Sequence, residues 1–373
     1  MNNIRIGLIC RSDCSGLGFQ TRELYKFLQP DKVLLIDSTP FNGREQHPEW
    51  YDSSITTISN GFLTNPTIIR FIKDIDVLIT CEVPYSDTLY RICKKNNVKT
   101  ILQPNAELNP HILNRRLDLP DAFFLPSTWL EGETRSVGIP TYIVKPPIIS
   151  PRKYIEIEKN PGELRLLHFQ GRRAAGDRNG TDIVAILPEI KGVTIDIHNQ
   201  LENEVKDQRD LYEQGHHALL IPRRYGGQCL PMIEGLSYGL PSIMPNIEPN
   251  RTELPSEWLT RASKGRSIKT KHRIETYNTT PEAIYEVIER FRDMNQKQYN
   301  EQRNIALELY SKHKSSVYVW SRTALLIVRS VVPSTFSVTV SVSPVSASFT
   351  EYSTVKGAVL FPKFESLPEI VGV

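Results

Sequence analysis

No uninterrupted apolar run in this chain approaches the ~18 residues that a membrane-crossing helix needs. The first residues, Met-Asn-Asn-Ile-Arg, enter a strand-like segment without the basic, apolar and cleavage regions of a signal peptide, so a cytoplasmic location is expected. Cysteine is scarce: Cys10, Cys14, Cys81, Cys93 and Cys229 form an odd set, and Cys10/Cys14 has no second pair at metal-ligand spacing. Reduced thiols are the expectation. The eight histidines do not cluster. His216 and His217 are adjacent and therefore point to different faces of a strand or helix, which argues against joint chelation, and no metal is expected. Dense Lys/Arg runs are missing too. A formal charge of +3 permits phosphate-bearing ligands but is not the footprint of a dedicated nucleic-acid binder.

What is present fits a globular α/β protein. A chain of 373 residues has room for two or three domains, and a hydrophobic fraction of 39% supplies each with a core. Short apolar runs at 4–10, 32–36, 77–80, 100–102, 122–125 and 141–144 alternate with helical patterns at 19–28, 65–73, 86–96 and 129–137, which predicts crossover connections and a parallel sheet. The cluster Lys145-Pro-Pro-Ile-Ile-Ser-Pro-Arg reads as a linker. Alternation then restarts, with strands at 164–169, 194–198, 218–221 and 241–244 and helices at 181–187, 202–213 and 231–238, followed by a mainly helical stretch over 281–328. The division expected is an N-terminal Rossmann-like domain over 1–147, a linker over 148–162, a second Rossmann-like domain with closing helices over 163–330, and a Ser/Thr/Val-rich tail over 331–373.

Three loops can carry chemistry. Gly16 and Gly18 fall where the first strand turns into a helix, a place where bare amides and a helix dipole meet phosphate or hydroxyl groups. A dinucleotide fingerprint would need a third glycine where Thr21 stands, although Asp37 sits where a ribose-binding acid belongs. The second loop, Gln170-Gly-Arg-Arg-Ala-Ala-Gly-Asp-Arg-Asn-Gly-Thr-Asp, offers Gly171, Gly176 and Gly180 for close backbone approach, with Arg172, Arg173 and Arg178 as fixed charges for a departing diphosphate. A solvated basic loop is the alternative. The third runs Pro222-Arg-Arg-Tyr-Gly-Gly-Gln-Cys-Leu-Pro-Met-Ile-Glu and ends in a helix whose first turn is expected to hold Glu234, as a cap or as a partner for two ribose hydroxyls.

In this order, Asn-Gly-Thr-Asp, Pro-Arg-Arg-Tyr-Gly-Gly and Leu-Pro-Met-Ile-Glu-Gly-Leu-Ser-Tyr-Gly-Leu-Pro resemble the retaining GT-B glycosyltransferases related to glycogen and sucrose synthases, over residues 4–328. Leu125-Pro-Ser-Thr-Trp-Leu-Glu-Gly and Val137-Gly-Ile-Pro support the likeness. The resemblance implies two doubly wound α/β domains facing a cleft, with acceptor side first and donor side second, and a nucleotide sugar as co-substrate without a metal or further cofactor. It implies that Gly16 and Gly18 face the donor or acceptor, that Gly171, Arg172, Arg178, Asn179 and Gly180 meet the diphosphate, and that Tyr225, Gly226, Gly227, Gln228, Cys229 and Leu230 surround sugar and phosphate. Glu234 would hold the ribose. Two positions depart from the pattern: Gly226 replaces a sugar-contacting glutamate, and Asn179 replaces a phosphate-binding lysine, with Arg178 beside it as a substitute.

Where the family often has a histidine this chain reads Leu102-Gln-Pro-Asn-Ala-Glu-Leu, leaving Asn105 and Glu107, with Arg172, as catalytic candidates. No catalytic carboxylate pair stands out, and the retaining reaction implied by the resemblance does not require one. Two other classes remain open: a catalytically degenerate nucleotide-sugar-binding module, suggested by Gly226 and Asn179, and an NAD-dependent oxidoreductase, suggested by Asp37. The acceptor is unspecified: a glycan or cell-wall precursor, a small molecule, a protein, or a modified base such as that of hydroxymethylated phage DNA. Arg115-Arg116 and Arg223-Arg224 are the pairs that would help an anionic acceptor dock.

Overall fold

The structure, a computed structural model, describes residues 4–105, 118–170, 177–199, 202–203, 205, 207–266 and 274–331, without the side chains of 41–42 and 316–331. The chain divides into two compact units, Met1–Val338 and Thr339–Val373, the second lying outside the described residues. In the first unit the elements follow as β1 (Ile6–Cys10), α1 (Gly16–Leu28), β2 (Lys32–Asp37), α2 (Thr39–Asn42), β3 (Thr56–Asn60), α3 (Asn65–Ile72), β4 (Val77–Glu82), α4 (Leu89–Lys95), β5 (Lys99–Pro104), β6 (Ala122–Leu125), α5 (Glu131–Arg135) and β7 (Thr141–Ile143). They build a seven-stranded parallel sheet in the order β3-β2-β1-β4-β5-β6-β7. Side chains alternate across each strand, so Leu8, Val33, Leu35, Val77 and Ile79 fill a core on one face while Ile9, Leu34, Ile36 and Leu78 fill one on the other. Burial on both faces is what makes these strands read as continuous apolar runs.

The second half repeats the plan with β8 (Leu164–Gln170), α6 (Thr181–Ala185), β9 (Val193–Asn199), α7 (Arg209–Tyr212), β10 (Ala218–Leu220), α8 (Leu230–Ser237), β11 (Ser242–Pro245), α9 (Asn250–Glu253) and β12 (Leu259–Thr260). These strands form a five-stranded parallel sheet, β12-β11-β10-β8-β9. A small antiparallel pair, β13 (Ala262–Lys264) with β14 (Tyr277–Thr279), precedes α10 (Pro281–Asp293) and α11 (Gln296–Val331). α10 starts where Thr280 accepts the amide of Ala283 and buries Ala283, Ile284, Val287, Ile288 and Phe291, the spacing of one helical face. Two parallel α/β sheets were thus legible in the sequence. β3 was not, because as an edge strand with little burial it carries no apolar run. Among the described residues no helix is long and apolar enough to cross a membrane, and all five cysteines are free and buried.

α11 is tied to the chain segment that leaves the first sheet. His313 is 4% exposed and its Nε2 donates to the Pro146 carbonyl at 2.9 Å, while burial lowers its pKa to about 4. The unfolded chain, with a histidine near 6.5, binds this proton first. Stability from His313 is therefore complete above pH ~6.5 and is lost as pH falls toward 4, by about 3 kcal/mol in all. A His313→Gln variant should lack that acid-side loss, so urea denaturation at pH 7 and pH 4 should show the variant gaining on the parent at the lower pH. Equal shifts in both proteins would refute the assignment.

Candidate functional site

In open parallel sheets, ligands bind beyond the carboxyl ends of the strands where the winding direction reverses. The second sheet reverses between β8 and β10, so its two reversal loops are 171–180 and 221–229. They are the loops singled out by sequence. Gly171, Arg172 and Arg173 lie outside the described residues, but the loop's end is defined. Asp177 accepts the amides of Thr181 and Asp182 at 2.8 and 2.9 Å and so caps α6. The first-turn amides of Thr181 and Asp182 are therefore already satisfied within the protein. Asn179 donates its side-chain amide to the Phe169 carbonyl at 2.9 Å, anchoring the loop to the end of β8 instead of reaching outward.

The two loops are held against each other. The Arg178 guanidinium lies over the Tyr225 ring at 5.7 Å, the Arg224 amide donates to the Arg178 carbonyl at 2.8 Å, and the Arg224 side chain approaches Asp177 at 3.9 Å. Gly180, at φ +73°, lets the Pro222 carbonyl come so close that a Cβ would sit 2.4 Å from it. Arg178 and Tyr225 thus belong to one construction.

α8 begins directly after the second loop, with Cys229 in the N-cap position and no side-chain cap. Burial pushes the Cys229 thiol up to about 11, so the sulfur stays protonated at neutral pH and is no nucleophile. Glu234 is not in the first turn: the helix starts at Leu230, one residue earlier than expected, and its first turn holds no acid. Capping is thereby excluded. The carboxyl is 2% exposed, accepts the Tyr212 hydroxyl at 2.6 Å, and has its pKa raised to about 7, mainly by burial, with Glu23 adding to the rise and Tyr212 and Arg22 opposing it. Arg22 and Glu23 belong to α1, so Glu234 sits where the two halves approach. Gly16 is exposed on the same side, with Leu230 Cδ1 3.8 Å from where its Cβ would be. Gly18 is different: its amide donates to Ser15 Oγ at 3.2 Å, so it offers no bare amide to a ligand.

Gly226 has φ +128°, and a Cβ there would lie 2.1 Å from Arg223 Nη2. A side chain there would have to displace the Arg223 guanidinium and adopt a backbone conformation that L residues rarely take. Arg223 itself is only 4% exposed, which removes it as a surface group for acceptor docking. Arg115, Arg116 and Glu107 lie outside the described residues, while Asn105 follows β5 directly and is half-buried.

The first sheet reverses between β1 and β4, and there the structure assembles a polar cluster that sequence reasoning missed. Arg11 bridges Asp13 and Glu82, the latter at 3.2 Å; Asp13 is fully buried and also accepts from Ser38 at 3.1 Å. Gln103, near the end of β5, accepts from Gln20 at 3.0 Å, and neither its Nε2 nor the Tyr85 hydroxyl has a partner among the described residues. Glu82 and Tyr85 both adopt positive φ, at 71° and 60°, a strained backbone of the kind that collects at functional sites. Residues 71 positions apart in sequence give no local signal of this pairing. Asp37 accepts the Thr39 amide at 2.9 Å through one oxygen, and Thr21 is buried with its hydroxyl on the Arg11 carbonyl, so a side chain fills the turn where a dinucleotide fingerprint needs its third glycine. His216 and His217 turn to different partners, Asp196 and the Glu158 carbonyl.

No family model and no curated protein matches the sequence. Solved structures do match. The Anabaena Alr3699/HepE protein in complex with UDP aligns over 87% of this chain and 100% of its own, with TM-score 0.56 and 11% identity. Sucrose-phosphate synthase from Thermosynechococcus elongatus aligns over 87% and 99%, with TM-score 0.54 and 11% identity. The apo form of the lipopolysaccharide outer core galactosyltransferase WaaB aligns over 86% and 100%, with TM-score 0.51 and 13% identity. At such identities the likeness is one of fold. The chain has the GT-B fold, two Rossmann-like α/β halves built on parallel sheets.

Proposed function

We propose that this protein is a glycosyltransferase that moves a sugar from a nucleotide-sugar donor to an acceptor, with retention at the anomeric carbon. The observation that carries the reading is Glu234: a buried carboxyl behind the reversal loops of the second sheet, facing the first half, in a fold shared with nucleotide-sugar-dependent enzymes. A carboxylate there accepts two hydrogen bonds from a ribose, and the gain in its charge-assisted bonds offsets the cost of ionising it under cover. The diphosphate would lie between the uncapped start of α8, with the Gly227 to Leu230 amides, and Arg178, joined by Arg172 and Gly171. Charge that grows on the leaving phosphate is met by these fixed groups, and in this reading neither a metal nor a cofactor beyond the donor takes part. The leaving phosphate takes up the acceptor proton, so no protein nucleophile is assigned. Asn105 and Glu107 would line the acceptor side with the Arg11–Glu82 cluster. The domains would be 1–147, 163–330 with a linker between, and a tail from 331, in a cytoplasmic enzyme.

The test is calorimetry and mass spectrometry of the protein against a panel of nucleotide sugars, with Glu234→Ala and Arg172→Ala beside the parent. Binding or slow hydrolysis of one donor, lost in both variants, is the expected result. A folded parent that binds no nucleotide sugar would end the transferase reading.

A further inference from the structure

Arg223 is a buried cation with no acidic partner among the described residues. Its Nε donates to the Tyr225 carbonyl at 2.8 Å and its Nη1 to the Gln228 carbonyl at 3.1 Å, both neutral acceptors on its own loop. Nη2 has no partner, and no carboxylate lies within ion-pair distance among the described residues; the neighbouring Arg224 is the one that reaches Asp177. Buried charges are ordinarily paired, because an isolated ion in a low-dielectric surrounding pays its full desolvation cost. Here the fork is pinned by two bonds to backbone and its third nitrogen is left over.

The position of that nitrogen points to what completes it. Nη2 occupies the volume of the side chain that Gly226 does not have, at the carboxyl end of β10 and ahead of the uncapped start of α8. Gln228 on the same loop leaves both its Oε1 and its Nε2 without partners among the described residues. A guanidinium N–H, an amide N–H and an amide oxygen with nothing to bond, beside a helix start, form a site prepared for an anionic, hydroxyl-bearing group.

We propose that Arg223 is the counter-ion of an oxyanion carried by the nucleotide-sugar donor, with Gln228 bonding beside it. This rests on the donor-site reading given above. The oxyanion has two sources, the carboxylate of a uronic-acid sugar or an oxygen of the diphosphate, and the two predict different ligands for the wild-type protein.

Calorimetry of wild type, Arg223→Gln and Arg223→Lys against UDP, UDP-glucose and UDP-glucuronic acid, and against GDP, GDP-mannose and GDP-mannuronic acid, separates them. A sugar carboxylate predicts that only the uronate weakens in Arg223→Gln, by about tenfold or more, the worth of one charge-assisted bond. A diphosphate contact predicts the same loss for every member of the series that binds. Arg223→Lys keeps the charge without the fork and should fall between, and it serves as the reading if thermal melting shows Arg223→Gln unfolded. Wild-type binding that neither variant changes overturns the proposal and leaves the donor site standing. A wild-type protein that binds none of the six overturns both.

Discussion

Replacing Glu234 with glutamine should make the protein more stable at pH 8 by about 3 kcal/mol and at the same time remove most of its affinity for nucleotide. The stability gain follows from proton linkage. Burial holds the folded-state pKa at about 7 against 4.5 for the free side chain. Between those values the unfolded chain has released a proton that the folded chain retains, so stability falls as pH rises, by roughly 1.4 kcal/mol per unit, and the deficit is complete above pH 7. Glutamine has no charge to bury, and its carbonyl still accepts the Tyr212 hydroxyl that lies 2.6 Å from Glu234. The gain should nearly vanish near pH 4, where the Glu234 carboxyl is protonated in the folded chain and mostly so in the unfolded one, so urea denaturation at pH 4 and pH 8 measures it. Binding moves the other way: a ribose needs the ionised form, and loss of that charge should cost about tenfold to a hundredfold in affinity. For the same reason parental affinity should rise between pH 6 and pH 8. A variant with equal stability at both pH values, or with parental affinity, would remove Glu234 from the site.

The second large effect is expected from Gly180→Ala, which should cost about 2–4 kcal/mol of stability and weaken nucleotide binding. About 1 kcal/mol is the price of an L side chain in the left-handed region at φ +73°, and overpacking adds about 1–3 kcal/mol. The methyl would fall 2.4 Å from the Pro222 carbonyl and 2.9 Å from its Cγ, so the loops after β8 and β10 must part. Those loops share the Arg178–Tyr225 stack and the Arg224 to Arg178 backbone bond, and separating them displaces both. Gly215→Ala is the control, because Gly215 has φ +77° with nothing within 4 Å of the added atom. Its loss should stay near 1 kcal/mol with binding unchanged. Equal losses at the two positions would show that the loop contact carries no energy of its own.

The pattern of short apolar runs and amphipathic segments was enough to place nearly every central strand, since a strand buried on both faces must be apolar throughout; 122–125 coincides with β6 to the residue. Boundaries slipped where caps, not periodicity, decide them. α1 begins at Gly16, three residues before the expected start at 19, because Ser15 caps it, and α8 begins at Leu230, which moved Glu234 out of the first turn. The glycine- and arginine-rich loops at 170–182 and 222–230, expected from composition to meet phosphate, follow the two strands between which the second sheet reverses.

What the polar groups of the candidate loops do was settled only by folding. Asn179 and Gly18 looked available in sequence, yet one is spent on the Phe169 carbonyl and the other on Ser15. Arg223 read as a surface cation and is buried without an acidic partner among the described residues, and Arg11 found Glu82 from 71 residues away. The sequence by itself determined the alternation of strands and helices, the two parallel sheets and the loops at their reversal points, since these follow from local periodicity and backbone permissiveness. The tertiary structure alone decided which charges are buried, which are paired and which carboxyl holds its proton to about pH 7, because desolvation and pairing depend on every element packed around a group and not on its neighbours along the chain.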